Sequence, residues 1–149
     1  MTQTITLSGW AGTRFGKPKV GASAERRRVT RASDIIAFSD MTGDRNPIHY
    51  DQTLAERSVF GRIIVQGGVT SGLLNALVAE DLPGPGTVFL GVEWKFHKAV
   101  GIGEEIIARA EVLSVREDKP ICTLATSILN GAGEVCLSGN VMTYTVPLQ

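Results

Sequence analysis

Asp44 and His49 stand five residues apart in the run TGDRNPIHYD, residues 42–51, close enough along the chain for local geometry to align them. A carboxylate and an imidazole held this near can take one water between them. Histidine titrates near neutrality and a carboxylate is tuned by burial. Together they suit a reaction that needs a base for a water proton and an acid to return a proton to carbon, such as addition of water to an activated double bond. Pro47 fixes its own φ and pushes Asn46 into an extended conformation, so a helix cannot run through the segment. Asn46 can bond the loop backbone in an Asx-type turn. The expected result is a rigid bend with Asp44 at one end and His49 at the other, supported by Asn46 and Pro47. The same pair would equally serve to pin a turn, and these residues alone leave both readings open.

A second chemical feature begins at Gly67. The run GGVTSGLLNALVAED, residues 67–81, reads as a helix whose first amides have no intrahelical partner and carry the positive end of its dipole. Gly67 has no Cβ, so a ligand can approach its backbone, and an amide there can stabilise an oxygen that gains negative charge. The other reading is that Gly67 and Gly68 only make room for a sheet. Asn75 lies eight positions on, sharing a face with Ser71. As an amide on an apolar helix it needs a partner, either in a pocket or on a strand backbone.

The elements that would hold these residues follow from periodicity. Residues 20–29 read as a strand, and Thr30 or Ser33 is placed to cap a helix that ends near Gly43. Asp51 is placed to cap a short helix over residues 52–57. The helix at 67–81 has Val69, Leu73, Leu74, Ala76, Leu77 and Val78 around most of its circumference, the pattern of a buried helix, and is too short to cross a bilayer. LPGPG, residues 82–86, ends it. Alternating strands follow. The first sets Val88, Leu90, Val92, Trp94 and Phe96 on one face, and the second sets Ile106, Ala108, Ala110 and Val112 on one face. The third covers 121–129 and the fourth 135–146. Their separators, near residues 101–103, 118–120 and 130–133, are short enough for antiparallel neighbours. A buried helix followed by long antiparallel strands predicts an α+β hotdog, one sheet wrapped around one helix. Such a sheet leaves an edge strand, so pairing of two chains is expected.

Composition narrows the function classes. The chain has 149 residues, 43% hydrophobic and 20% charged, with 15 basic and 15 acidic residues, so no net field draws it to nucleic acid or membrane. Arg26, Arg27, Arg28 and Arg31 form the one local basic excess, read as a solvated strand end and helix start or a phosphate contact. The start MTQTITLSGW lacks the basic and apolar runs of a signal peptide. A hairpin near residues 130–131 would pair Cys122 with about residue 141 rather than with Cys136, so both cysteines are expected to be free, in a reducing cytoplasm. Gly12, Gly16 and Lys17 have the wrong spacing for a phosphate loop, with Pro18 where a hydroxyl must stand. His97, between Lys95 and Lys98, reads as a surface residue. No metal site is expected from two histidines, and Ser71 lacks the surroundings of a nucleophile elbow. The expected organisation is an N-terminal extension of unknown role over residues 1–20 and one domain over 21–149.

TGDRNPIHYD closely resembles the hydratase-2 motif of MaoC-like proteins, in which an acidic residue and a histidine five apart flank an Asn-Pro. The resemblance continues through FGRIIVQGG, LPGPGTVFLG and VREDKPICTLAT, covering roughly residues 25–146. It implies a dimeric single hotdog and reversible hydration of trans-2-enoyl-CoA to (R)-3-hydroxyacyl-CoA. Asp44 and His49 match the catalytic pair, and Gly67 matches the backbone amide that faces the thioester oxygen. A coenzyme A ester is then the substrate, with no metal or redox cofactor required. Many relatives carry His-Gly where this chain has Gln66–Gly67, and a small hydroxyl residue at the position of Asn75. Gln66 and Asn75 are therefore read as substrate-binding positions where this chain differs. Neighbouring readings are a dehydratase for a branched or dicarboxylic 3-hydroxyacyl-CoA and a non-catalytic acyl-thioester binding hotdog.

Overall fold

Apolar residues at every second position commit most of the second half of the chain to strands with one buried face. The computed structural model, which describes residues 9–148, shows where they go. In chain order the elements are β1 (Ser23–Val29), α1 (Ala32–Thr42), a one-turn 3-10 helix (Pro47–His49), α2 (Gln52–Arg57), α3 (Gly67–Glu80), β2 (Thr87–Phe96), β3 (Glu105–Val115), β4 (Ile121–Asn130) and β5 (Val135–Thr145). The strands form one antiparallel sheet in the order β1-β3-β4-β5-β2. Leu74 and Leu77 of α3 are fully buried in a core with Ile106, Ala108, Leu124, Ile128 and Leu137 of the sheet. This is the expected α+β hotdog. No helix among the described residues is long and apolar enough to cross a membrane.

The structure corrects the expected connections at one place. β3–β4 and β4–β5 are hairpins, but β2 and β3 are not neighbours: β2 pairs with β5 at the far edge. The short segment after β2 crosses the molecule because its polar groups bond elsewhere. The Val100 carbonyl accepts from Val65 N–H at 2.8 Å, and the Gly101 carbonyl accepts from the Thr30 hydroxyl at 2.6 Å. Thr30 is therefore not the cap of α1, nor is Ser33. The cap position is Arg31, whose N–H is bonded by the Asp34 carboxylate at 2.9 Å.

Two further expectations change. A bulge between Phe89 and Gly91 switches the faces of β2, so Phe89 turns inward with Trp94, while Val88 and Leu90 are exposed. α3 is not buried all round: Leu74, Leu77 and Val78 face the sheet, while Gly72 and Asn75 lie exposed on the opposite side. One sheet covers one side of a helix, and α1 covers only part of the other.

The N-terminal segment, from Gly9 on, belongs to the domain, and residues 1–8 of the expected extension lie outside the described ones. Trp10 is 2% exposed and donates from its indole to the Arg116 carbonyl at 2.7 Å, closing one end of the core. Three of the four clustered arginines are ion-paired: Arg26 with Asp81 at 2.6 Å, Arg27 with Glu105 at 3.0 Å, and Arg28 with Asp34. Cys122 opposes Thr143, two residues beyond the expected partner, because the β4–β5 turn spans Gly131 through Glu134. Both cysteines are free and buried, and burial pushes both thiols up, so neither is a ready nucleophile.

Gly139 shows how tightly the edge strand is held. It pairs with Trp94, whose indole reaches past it to the Thr126 hydroxyl at 3.0 Å. A Cβ at 139 would lie 1.7 Å from the Glu93 carbonyl oxygen. Gly139→Ala must push β2 away from β5, a backbone clash of the kind that costs roughly 3 kcal/mol or more. Urea denaturation should show that loss, and a variant within about 0.5 kcal/mol of the parent would contradict the close approach.

Candidate active site

The loop after α1 is built by local bonds. Gly43 ends the helix in the left-handed region, at φ 83°, and sends its N–H to the Ser39 carbonyl. One carboxylate oxygen of Asp44, Oδ1, accepts from Asn46 N–H at 3.1 Å. The Asn46 side chain accepts from Ile48 N–H at 3.4 Å, a weak form of the expected Asx turn. Pro47 opens the one-turn helix that ends at His49, and Asp51 caps α2 through Leu54 N–H at 3.0 Å. Asn46 and Pro47 thus support the loop as expected, and Asp44 keeps Oδ2 free to face inward.

His49 is 7% exposed, and its Nδ1 lies 2.6 Å from the Ile64 carbonyl oxygen. A carbonyl can only accept, so Nδ1 carries a hydrogen and, in the neutral ring, Nε2 presents its lone pair. Nε2 stands 3.9 Å from Asp44 Oδ2, whose side chain is 38% exposed. This is too long for a direct hydrogen bond. It is short enough for one water to donate to both atoms at ordinary lengths. The structure therefore brings the expected pair together without spending it on a turn-pinning bond.

The imidazole opens on a mainly apolar pocket of about 410 Å³, lined among others by Ile48, Phe60, Gly67, Thr70 and Phe96. Gly67 is the first residue of α3 and lines this pocket, and Gln66 before it makes no side-chain cap bond; the Val69 N–H is taken by the Gln66 carbonyl at 2.9 Å, which leaves the Gly67 amide as the first-turn donor on the pocket. The two glycines have different neighbours, and only Gly67 stands against the sheet, at Phe96 of β2. A Cβ at Gly68 would lie 2.1 Å from the Phe38 ring, so Gly68 makes room for α1. At Gly67 a Cβ would lie 2.9 Å from the Phe96 ring, on the pocket side, so the missing side chain keeps the amide approachable.

Two expected substrate contacts are placed differently. Gln66 is 1% exposed and turned away from the pocket: its amide nitrogen donates to the Ile35 carbonyl and to Ser39 Oγ, each at 3.1 Å. Its side chain is therefore corrected from a substrate contact to an internal tie, because the buried polar groups of α1 take its hydrogens first. Asn75 is exposed on the open side of α3, eight residues and so about 12 Å along the axis from Gly67. It bonds no strand backbone among the described residues, which removes that alternative. His97 is exposed, as expected, and bonds Ser138 Oγ at 2.8 Å.

Several groups of the site were not foreseen. Ser39 and Tyr50 belong to the buried tie described below; the available signal was a serine four positions after Ile35, on the apolar stripe of α1. The Ile64 carbonyl that sets the imidazole is a backbone group and gives no signal in the residue types. Phe60 and Phe96 line the pocket from segments distant in sequence from each other and from Asp44.

Comparison with known proteins agrees with this geometry. Residues 15–130 match the family described as MaoC like domain. An (R)-specific enoyl-CoA hydratase of Aeromonas caviae is 36% identical over 83% of this chain and 92% of its own. A 3-hydroxybutyryl-CoA dehydratase of Methylorubrum extorquens is 34% identical over 86% and 81%. Among solved structures, an (R)-hydratase from A. caviae superposes with a TM-score of 0.82 at 34% identity, covering 87% of this chain and 98% of that one. An unliganded R-hydratase from Pseudomonas aeruginosa gives 0.81 at 31%, covering 88% and 84%. With that family match over most of its length and relatives at 34–36% identity, the chain belongs to the MaoC-like domain family.

Proposed function

We propose that this protein is a hydro-lyase that reversibly adds water to trans-2-enoyl-CoA to give (R)-3-hydroxyacyl-CoA. The observation that carries the reading is the 3.9 Å gap between His49 Nε2 and Asp44 Oδ2, with His49 lining the same pocket as Gly67. Both atoms are acceptors, so a water between them donates both hydrogens and turns a lone pair toward the substrate. That lone pair forms the new bond at Cβ. The π electrons move to the thioester oxygen, where the Gly67 N–H and the end of the α3 dipole stabilise the enolate-like charge. One acceptor takes one water proton and passes it on to Cα, while the other hydrogen stays on the new hydroxyl, so H and OH are added and both side chains return to their starting states. The names of the relatives support the thioester and its carrier. The chemistry requires no metal or redox group.

General acid–base groups are typically worth about 10²–10⁴-fold each. Asp44→Asn keeps shape and removes charge, and His49→Ala removes Nε2. Both variants should stay folded and lose most of kcat on crotonyl-CoA. Either one retaining more than about a tenth of the parent's turnover would remove that residue from the mechanism.

The reading includes a homodimer in the cytoplasm, in line with two free buried cysteines. β2 is an edge strand whose Leu90 is 53% and Phe96 60% exposed, and Phe96 also walls the pocket. Pairing β2 with its copy would cover that edge and close the pocket beside the subunit boundary. Light scattering at micromolar concentration should give twice the 15.9 kDa chain mass. A monomer with full turnover would refute this part.

Asn75 remains a substrate position for the acyl chain rather than the thioester, given its distance along α3. Because it is exposed, Asn75→Ser should leave the melting temperature unchanged while shifting preference along an acyl-CoA series. One or two methylenes are worth roughly 1–3 kcal/mol, about tenfold or more in kcat/KM. An unaltered profile would exclude it.

A further inference from the structure

The mechanism uses Asp44, His49 and the Gly67 amide, yet a buried hydrogen-bond network lies just behind them. Ser39 is fully buried on the inner side of α1, and its hydroxyl is used to capacity. It donates to the Asp44 carbonyl at 2.6 Å and accepts from the Tyr50 hydroxyl and from Gln66 Nε2. Gln66 Nε2 donates a second bond to the Ile35 carbonyl. This network touches both ends of the site. Ser39 holds the backbone of the residue that supplies the carboxylate. Gln66 is the residue immediately before the amide proposed to meet the thioester oxygen.

We propose that Gln66, acting with Ser39 and Tyr50, is a positioning residue that sets the distance between the Asp44 carboxylate and the Gly67 amide. The inference rests on the hydratase reading above. Ser39 fixes the Asp44 carbonyl while Asn46 N–H fixes Oδ1, so both the backbone and the side chain of Asp44 are held and Oδ2 stays toward His49. Gln66 then links that assembly to the first turn of α3. Besides that link, α1 meets α3 through apolar contacts, Phe38 over Gly68 and Ile35 in the core with Leu74 and Leu77, which carry little directionality.

A further observation separates positioning from simple stabilisation. Gln66 Oε1 is buried and has no hydrogen-bond partner among the described residues. A side chain selected for stability would not leave an acceptor unpaired, since that costs what the other bonds contribute. A thioether of similar length removes the orphan together with the tie. Gln66→Met should therefore keep the fold and lose the geometry, and a misplacement near 1 Å can cost about 100-fold in rate.

The test compares the parent, Asp44→Asn, Gln66→Met, Ser39→Ala and the double variant, by steady-state kinetics on crotonyl-CoA and by thermal melting. Gln66→Met should lower kcat about 10- to 100-fold, leave KM within about twofold and shift the melting temperature by no more than a few degrees. The double variant should lose little more than the worse single one, because both act through one link. If a buried variant does not fold, Tyr50→Phe removes only a hydroxyl from a half-exposed ring and should lower kcat in the same way, by less. Gln66→Met with kcat within threefold of the parent and a lower melting temperature would make the network structural only and overturn the proposal. If the parent is inactive, or Asp44→Asn retains turnover, the hydratase reading itself fails and the proposal falls with it. An active parent, an inactive Asp44→Asn and an unimpaired Gln66→Met would sink the positioning role alone.

Discussion

A single antiparallel sheet can wrap only one side of a helix, and most of this structure follows from that limit. The concave face of β3, β4 and β5 takes Leu74 and Leu77 of α3 into the core, and the rest of the helix circumference needs other cover. The chain supplies it with the segment between β1 and α3. That segment has little periodicity of its own beyond α1, and it is anchored by polar bonds rather than by a large apolar face. The candidate site lies where this segment meets the first turn of α3. There the Gly67 amide at a helix end, a buried imidazole and a half-exposed carboxylate converge without strain on the sheet.

Such an arrangement divides the labour between two kinds of interaction. The sheet and Leu74, Leu77, Ile106 and Leu124 supply apolar burial, each fully buried large side chain contributing roughly 1.5–3 kcal/mol. The segment over α3 contributes little of that and much directionality. The Ile64 carbonyl selects the tautomer of His49, Asn46 N–H turns the Asp44 carboxylate, and Ser39 holds its backbone. Hydrogen bonds are suited to this because their net stabilisation is near 1 kcal/mol while their geometric demands are narrow.

The same division explains what was legible in the sequence. Strand periodicity, the helix at Gly67, its end at LPGPG and the Asp44–His49 spacing are all local signals, and each appears where it was expected. The place of β2 was not legible, because a short separator looks the same whether it closes a hairpin or crosses the molecule. Only the bonds of Val100 and Gly101 to distant partners decide it. The face switch in β2 was hidden for a related reason: one bulged residue reverses an alternation that the residue types alone seemed to continue. Gln66 was misread because it replaces the histidine that many relatives carry before the glycine, which suggested the pocket. The direction of its side chain depends on Ser39 and Ile35, about 30 residues away.

The features that weaken the fold are gathered around the site rather than scattered. Gly67 opens α3 without a side chain to pack against the Phe96 ring beside it. Gln66 leaves a buried acceptor unpaired, at roughly 1–3 kcal/mol. Phe96 is more than half exposed on an unpaired edge beside the same pocket. Against a total stability of about 5–15 kcal/mol, these are not small concessions. Each has a remedy: a side chain at 67 with the Phe96 ring shifted aside, a thioether at 66, a charge at 96. Under the proposed mechanism, none of these remedies is compatible with the chemistry. A larger residue would close the approach to the first amide, a thioether would release the carboxylate from the helix, and a charge would wet the pocket wall. The three weaknesses therefore share one explanation, which is that stability around the first turn of α3 yields to the geometry of water addition.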